Sequence, residues 1–298
     1  MVQAQVANSP AAVGSAVVIL GDGTPVISAS RSGTSIGIVV RGTLYVFDAG
    51  PGVLQRTFEA RERMNLGIRE LGPVFITHLH SDHTLGLPDL LFYPELGMQT
   101  GPIRHGRTAA SLKVFGPPGL SAMMRHLAAA WAEDRVIRAQ SPMAADNAVA
   151  SRVNGASVNE ISAGMVYADS NIAVTAFDVA HGDWTHALGY RIQAPDRVIV
   201  ISGDTRPTEA IVAACNGCDL LLHSVHGAEG ILSGTDEAYF RDFHTSAAQL
   251  GELASRANPK VLVLYHQAFA GRRPAELIAQ VMSSFKGPVI SARDLDVY

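Results

Sequence analysis

The stretch Phe75–Leu91 reads FITHLHSDHTLGLPDLL and sets His78, His80, Asp82 and His83 within six residues, directly after an apolar run. Protonated imidazoles crowded this way repel each other. A divalent cation replaces that repulsion with bonds, and neutral imidazoles with carboxylates suit zinc and similar ions. Three further residues of the same chemistry follow strand-like runs. They are His181 in VAHGDWTHALGYRI, Asp204 after VIVIS in SGDT, and His266 after VLVLY. Five histidines and two aspartates are too many for one tetrahedral ion, but they fit two ions sharing one carboxylate. A lone histidine at a strand end is more often a hydrogen-bonded structural residue. That default applies to His105, His126 and His186. It does not fit HxHxDH, because three imidazoles and a carboxylate in one turn have no good metal-free structural role.

The elements that must position these residues are legible as apolar runs. AVVIL, SIGIVV, TLYVFD, PVFITH, LKVFG, IAVTAFDV, ALGYRI, RVIVISGD, DLLLHS and KVLVLYH read as strands, many rich in Val and Ile. Helical periodicity fits Val53–Leu71, Pro88–Leu96, Leu120–Ala132, Pro207–Ala214, Ser246–Ala257 and Pro274–Phe285. Pro207 and Pro274 suit a first helical turn, and Ser246 with Gln249 makes a capping-box pattern. Strands come first and then alternate with helices, which argues for an α/β or mixed layered fold. Each candidate ligand follows a strand, so four strand ends can converge on one sheet edge. Met143–Gly164 is the least patterned piece and reads as a polar, Ala-rich loop.

Composition sets the outer limits. The chain has 298 residues, 47% hydrophobic and 17% charged, enough for a sizeable core. Its formal net charge is −4, and only three of its 23 basic residues are lysines. The basic stripe of an extended nucleic-acid surface is missing. No apolar run approaches a membrane span. Residues 1–14 are small and polar and read as a flexible arm before a single domain over 15–298. The start lacks a basic signal-peptide region, so the sequence as given reads as cytoplasmic, or as periplasmic or secreted if a leader has been removed. Cys215 and Cys218 form an isolated CxxC. It is expected to be two small residues packing where a helix turns into a strand, with a redox pair as the alternative.

From about Val17 to its end the chain resembles the metallo-β-lactamase superfamily of binuclear metallohydrolases. LGDGTP, LYVFDAGPG, FITHLHSDHTLGLPDLL, VAHG…LGYRI, VIVISGDT, DLLLH and HTSAAQLGELASRANPKVLVLYH carry the resemblance, and they are most similar to the RNase Z and arylsulfatase-like branch. The resemblance implies a four-layer αβ/βα sandwich with the metals at one edge between two sheets. It implies that His78, His80 and His181 hold one ion, that Asp82, His83 and His266 hold the other, and that Asp204 bridges them. Two zinc ions are expected, with Mn2+ or Fe2+ as other divalent ions such a set can take. Catalytic roles are expected for Asp82, which orients the attacking water, and for His244, a candidate proton donor in FHTSAAQ. The bridging aspartate disfavours penicillin hydrolysis, leaving a lactonase or weak β-lactamase-type activity as a lesser alternative.

RNase Z-like proteins tend to carry HE after DLLLH, whereas this chain has His223-Ser224, with His226 two residues on. RNase Z also usually inserts a long tRNA-gripping arm between its third and fourth ligand motifs, and here His181 and Asp204 are 23 residues apart. The leading expectation is therefore hydrolysis of small esters (aryl sulfates, phosphodiesters or related esters). Its partner would be a small molecule, not a nucleic acid or a membrane, and a homodimer is left open. The alternative is an RNase Z-like endonuclease that processes tRNA 3′ ends.

Overall fold

The structure is a computed structural model that describes residues 14–92, 112–140 and 156–298. The expected arm over 1–14, apart from Gly14, lies outside the described residues. So do His105, the end of the expected Pro88–Leu96 helix and the first part of the expected 143–164 loop.

Two sheets face each other. The first has the order β1 (Ser15–Gly21), β2 (Ser35–Val40), β3 (Thr43–Phe47), β4 (Glu70–Phe75), β5 (Lys113–Gly116) and β6 (Ser157–Glu160). Its first two pairings are antiparallel and the rest parallel. The second runs, in spatial order, β13 (Val289–Ser291), β12 (Val261–Ala268), β11 (Leu220–His226), β10 (Val198–Ile201), β9 (Leu188–Gln193), β8 (Ala173–Asp178) and β7 (Gly164–Ala168). Strands β10 to β13 are parallel and β7 to β10 antiparallel. The chain end closes the gap between the sheets, with Val17 and Tyr298 exchanging backbone hydrogen bonds.

Three apolar clusters show how the layers stack. Ile19, Ile38, Phe47 and Phe75 of the first sheet meet Tyr190, Ile192, Leu222 and Val263 of the second. Behind the first sheet, α1 (Val53–Arg63), α3 (Leu87–Phe92) and α4 (Leu120–Ala130) bury Val53, Leu87, Leu90, Leu120 and Met124. Behind the second, α6 (Glu209–Cys215), α8 (Ala247–Ala257) and α9 (Pro274–Ser284) bury Ile211, Leu250, Leu253, Leu277 and Val281. The result is the expected four-layer αβ/βα sandwich. The remaining helices are α2 (Ser81–Thr84), α5 (Ala132–Gln140) and α7 (Gly234–Phe243). No helix among the described residues is long and apolar enough to cross a membrane.

Several expected boundaries shift for local reasons. Helix α1 stops at Arg63, short of Leu71, because Asn65 and Gly67 take positive φ and turn the chain into β4. Strand β6 and the start of β7 lie where a loop was expected. His266 does not follow β12 but lies inside it. Tyr265 pairs with Ser224 and Gln267 with Val225, which leaves His266 as the extra residue of a bulge with φ +49°. A bulge re-aims a side chain, and here it turns an imidazole towards the sheet end. The two cysteines do more than pack. Asn216 and Gly217 turn the end of α6 through positive φ, and Cys215 and Cys218 are joined in a disulfide.

The capping box at α8 is formed as expected. The Ser246 side chain accepts from the Gln249 N–H, and the Gln249 side chain accepts from the Ser246 N–H. Ser246→Ala should cost about 1 kcal/mol of stability, read as a lower midpoint in urea unfolding with an unchanged slope.

Candidate metal centre

Three strand ends and one bulge deliver the side chains. After β4 the chain turns through Thr77–His80 into α2, a single turn that presents Asp82 and His83. His181 follows β8, and Asp204 follows β10 through Gly203. Gly203 has φ +63°, and a Cβ there would lie 2.7 Å from the Leu188 carbonyl oxygen. Only glycine lets the backbone turn this tightly. His266 comes from the β12 bulge. His78, His83, His181, Asp82, Asp204 and His266 are buried, and His80 is partly exposed.

The imidazoles are oriented by fixed acceptors behind them. His181 Nδ1–H donates to the Phe243 carbonyl at 2.7 Å, and His266 Nδ1–H donates to the Gly23 carbonyl at 2.6 Å. His83 Nδ1–H donates to Asp48 Oδ2 at 2.8 Å. Thr77 Oγ1 donates to Asp48 and accepts from His78 Nδ1 at 3.0 Å. In each case the second-row hydrogen bond settles the tautomer and leaves Nε2 as the ligand atom. His80 is turned the other way. Its Nδ1 lies 2.9 Å from His78 Nε2 and 3.2 Å from His181 Nε2, while the Trp184 Nε1–H meets its Nε2 at 2.8 Å.

These atoms fall into overlapping groups within 4.8 Å. One is His78, His80 and His181; another is Asp82, His83 and His266; Asp204 groups with His78 and His83, and also with His181 and His244. Asp204 Oδ2 lies 3.1 Å from His266 Nε2, 3.6 Å from His83 Nε2 and 3.8 Å from His244 Nδ1. The set fits cations on two counts. Asp82 Oδ2, Asp204 Oδ1 and His83 Nε2 are buried without a hydrogen-bond partner, which costs free energy unless something binds them. In addition, three imidazole nitrogens converge at His80 Nδ1, where one proton can bridge one pair but a cation can bond to all three.

The electrostatics divide the site. Burial holds His78, His80 and His181 below the usual imidazole range, so this trio stays neutral. With Trp184 donating to its Nε2, the His80 proton sits on Nδ1 and must move off that atom before Nδ1 can bind a cation. For His83, burial acts downward too, but the Asp48 and Asp204 carboxylates outweigh it and raise the ring. Burial likewise opposes charge on His266, and Asp204 outweighs it. Burial would raise Asp204, yet His266 and His83 pull it well below the carboxylate range.

A family model described as "Beta-lactamase superfamily domain" matches residues 43–267, well over half of the chain and all seven of these ligand candidates. The chain belongs to the beta-lactamase superfamily. Its site is that of a metal-dependent hydrolase. A relative named Ribonuclease Z from Mycobacterium bovis (strain BCG / Pasteur 1173P2) is 25% identical over 283 residues, 94% of this chain and 96% of the relative. Among solved structures, the metallo-beta-lactamase fold protein YhfI from Bacillus subtilis superposes with a TM-score of 0.68 at 15% identity, over 96% of this chain and 99% of that one. The short form of human tRNase Z superposes at 0.64 with 20% identity, over 95% and 98%. Both structural likenesses concern the superfamily fold.

Around this superfamily site the structure places the remaining expected residues. His244 caps the end of α7, with its ring 5.2 Å from that of His181. Ser224 Oγ donates to the Gly203 carbonyl at 3.0 Å, behind Asp204 and not towards His244. His226 uses its Nδ1 to accept from the Ala228 N–H. His126 is exposed on α4, whereas His186 lines a cavity beside Trp184. Three residues were not anticipated from the sequence. Asp48 orients His83 and Thr77, and Trp184 contacts His80. Tyr239 stacks on Phe243 at 4.5 Å and sits edge-on to His244 at 5.6 Å. The only sequence signal for Asp48 is a charge that ends the apolar strand LYVFD.

Proposed function

We propose that this chain is a phosphodiester hydrolase of the ribonuclease Z type working with two divalent ions, zinc foremost. The observation that carries this reading is the complete donor set in a chain whose Ribonuclease Z relative is matched over 96% of its length. The short interval between His181 and Asp204 was the reason to expect a small-ester hydrolase, because it holds only the hairpin of β9 and β10. This chain matches the Ribonuclease Z relative over 96% of that relative's length, which supports the ribonuclease Z reading despite the short interval.

In this reading His78, His80 and His181 would hold one ion and Asp82, His83 and His266 the other, with Asp204 in reach of residues from both groups. Ions bound there would supply Lewis-acid activation of water and compensation of negative charge on the substrate. The carboxylates of Asp82 and Asp204 would also be placed to accept hydrogen bonds from an attacking water and align it. His244 stands beside Asp204, but burial pushes its imidazole down to about 3, so it is neutral at working pH. It then offers a leaving oxygen an N–H hydrogen bond and not a standing imidazolium proton. Ser224 supplies no carboxylate to raise it. Rates on aryl phosphodiesters should therefore rise steeply as the leaving phenol becomes more acidic, and His244→Ala should slow poor leaving groups more than good ones. Equal slowing across a leaving-group series would remove the role given to His244.

A second reading, hydrolysis of small activated esters with no nucleic-acid partner, is favoured by the net charge of −4 and the missing basic stripe. One experiment separates the two. Zinc-loaded protein is offered precursor tRNA with a 3′ trailer, bis(p-nitrophenyl) phosphate and p-nitrophenyl sulfate over a range of salt. Trailer removal that weakens steeply with salt supports the first reading. Intact precursor with ester turnover of shallow salt dependence supports the second. No turnover of any of them by protein holding two ions would overturn both.

A further inference from the structure

A cavity of about 410 Å³ opens beside the first histidine trio. Its walls include Leu79, Pro118, Trp184 and Phe243, and its rim carries Asp183 and His186. Three of these residues tie it to the reaction centre. Leu79 lies between the ligand candidates His78 and His80. The Trp184 Nε1–H meets His80 Nε2 at 2.8 Å, with the indole nearly perpendicular to the His80 ring, at 88°. Phe243 sits edge-on to His181, 5.2 Å between ring centroids. A group in this cavity is therefore a direct neighbour of whatever is bound at His80.

The lining selects what that group can be. Among the described residues it includes no Lys or Arg. A second phosphate or a sulfate entering here would meet apolar walls and the acidic Asp183, with no Lys or Arg among the described lining residues to hold it. A neutral flat ring gains instead, because two aromatic walls and two aliphatic ones bury its faces. Asp183 and His186 on the rim can take hydrogen bonds from polar groups at the ring's edge. The rest of the chain agrees with a recognition role for this segment. Trp184, Asp183 and His186 come from one loop, HGDWTH, which is mostly exposed and contributes one ligand candidate, His181. Asp183 and His186 are not among the ligand candidates.

We infer that this cavity is a subsite for the planar, neutral ring carried by the ester, a nucleobase or an aryl group, with Trp184 as its specificity-determining wall. The inference rests on the proposed ester hydrolysis for its place in the reaction but not for the binding itself. The chain has two tryptophans, so Trp131→Phe leaves Trp184 as the sole indole reporter. In zinc-loaded Trp131→Phe protein, adenosine and phenol are titrated separately, each with and without inorganic phosphate. Saturable quenching by adenosine that phosphate does not displace is the expected result for a nucleobase subsite. Saturable quenching by phenol alone assigns an aryl ester. No saturable quenching by either ring, or loss of the ring when phosphate is added, overturns the inference.

Trp184→Ala should weaken binding of the preferred ring about tenfold, as loss of a stacking wall does, and Trp184→Phe should restore most of it. These are read by calorimetry at a zinc content equal to wild type. Should Trp184→Ala fail to fold or to keep zinc, the exposed Asp183→Lys gives an independent reading. It should let phosphate compete with the ring by placing a cation on the rim, and unchanged competition would count against the assignment. Cleavage of phosphodiesters without ring binding would remove the subsite and keep the proposed function. Ring binding without cleavage of any ester would do the reverse.

Discussion

Asp204→Ala is expected to lower turnover of any ester substrate by about 10³-fold or more and to cost the protein part of its metal. The carboxylate lies within 3.6 Å of both His83 and His266 and groups with His78 and with His181. Among the described residues it thus groups with ligand candidates of both proposed ion positions. The fold should survive, since the three apolar clusters do not include residue 204. The checks are metal content by elemental analysis, circular dichroism and kcat/KM on an activated phosphodiester. Wild-type turnover with two bound ions would sink the site assignment.

Much of this site could be read from the chain because its densest part is contiguous. HxHxDH places four donors in one turn, and the apolar runs before it, before His181 and before Asp204 mark where strands end. The sandwich was legible for the same reason, since β2 and β11 are buried along their whole length and carry the apolar runs IGIVV and LLL. Other elements left no such trace. Helix α7 has no buried residue, so no apolar stripe announces it. Strands β6, β7 and β13 are short and have few buried positions. The bulge at His266 is a matter of register with β11, which single-strand periodicity does not encode. CxxC spacing brings Cys215 and Cys218 close but does not say whether the thiols bond. The cavity beside Trp184 gathers residues from positions 79 to 243, and only the folded chain puts them together.

Asp48 is the clearest case of a residue that only the fold reveals, and it supports the second large expected effect. It lies 35 positions from His83, yet its Oδ2 receives the His83 Nδ1–H while its Oδ1 receives the Thr77 N–H at 2.8 Å. Its φ is +59°, a conformation that asparagine tolerates better than alanine. Asp48→Asn therefore keeps the backbone and can still accept from Thr77. The amide then turns its NH2 towards His83 Nδ1. A donor there makes Nδ1 an acceptor and moves the ring proton to Nε2, the atom that faces Asp82 and Asp204. Zinc affinity at the Asp82–His83–His266 group should fall about 10–100-fold, while the His78–His80–His181 trio keeps its ion. A zinc titration should resolve one tight and one weakened site where the wild type shows two tight ones. Asp48→Ala should behave differently. It leaves the His83 tautomer free, so the second ion is weakened less, but it strands the buried Thr77 N–H and strains residue 48, so stability falls more. Two tight ions in Asp48→Asn would show that Asp48 does not set the proton on His83.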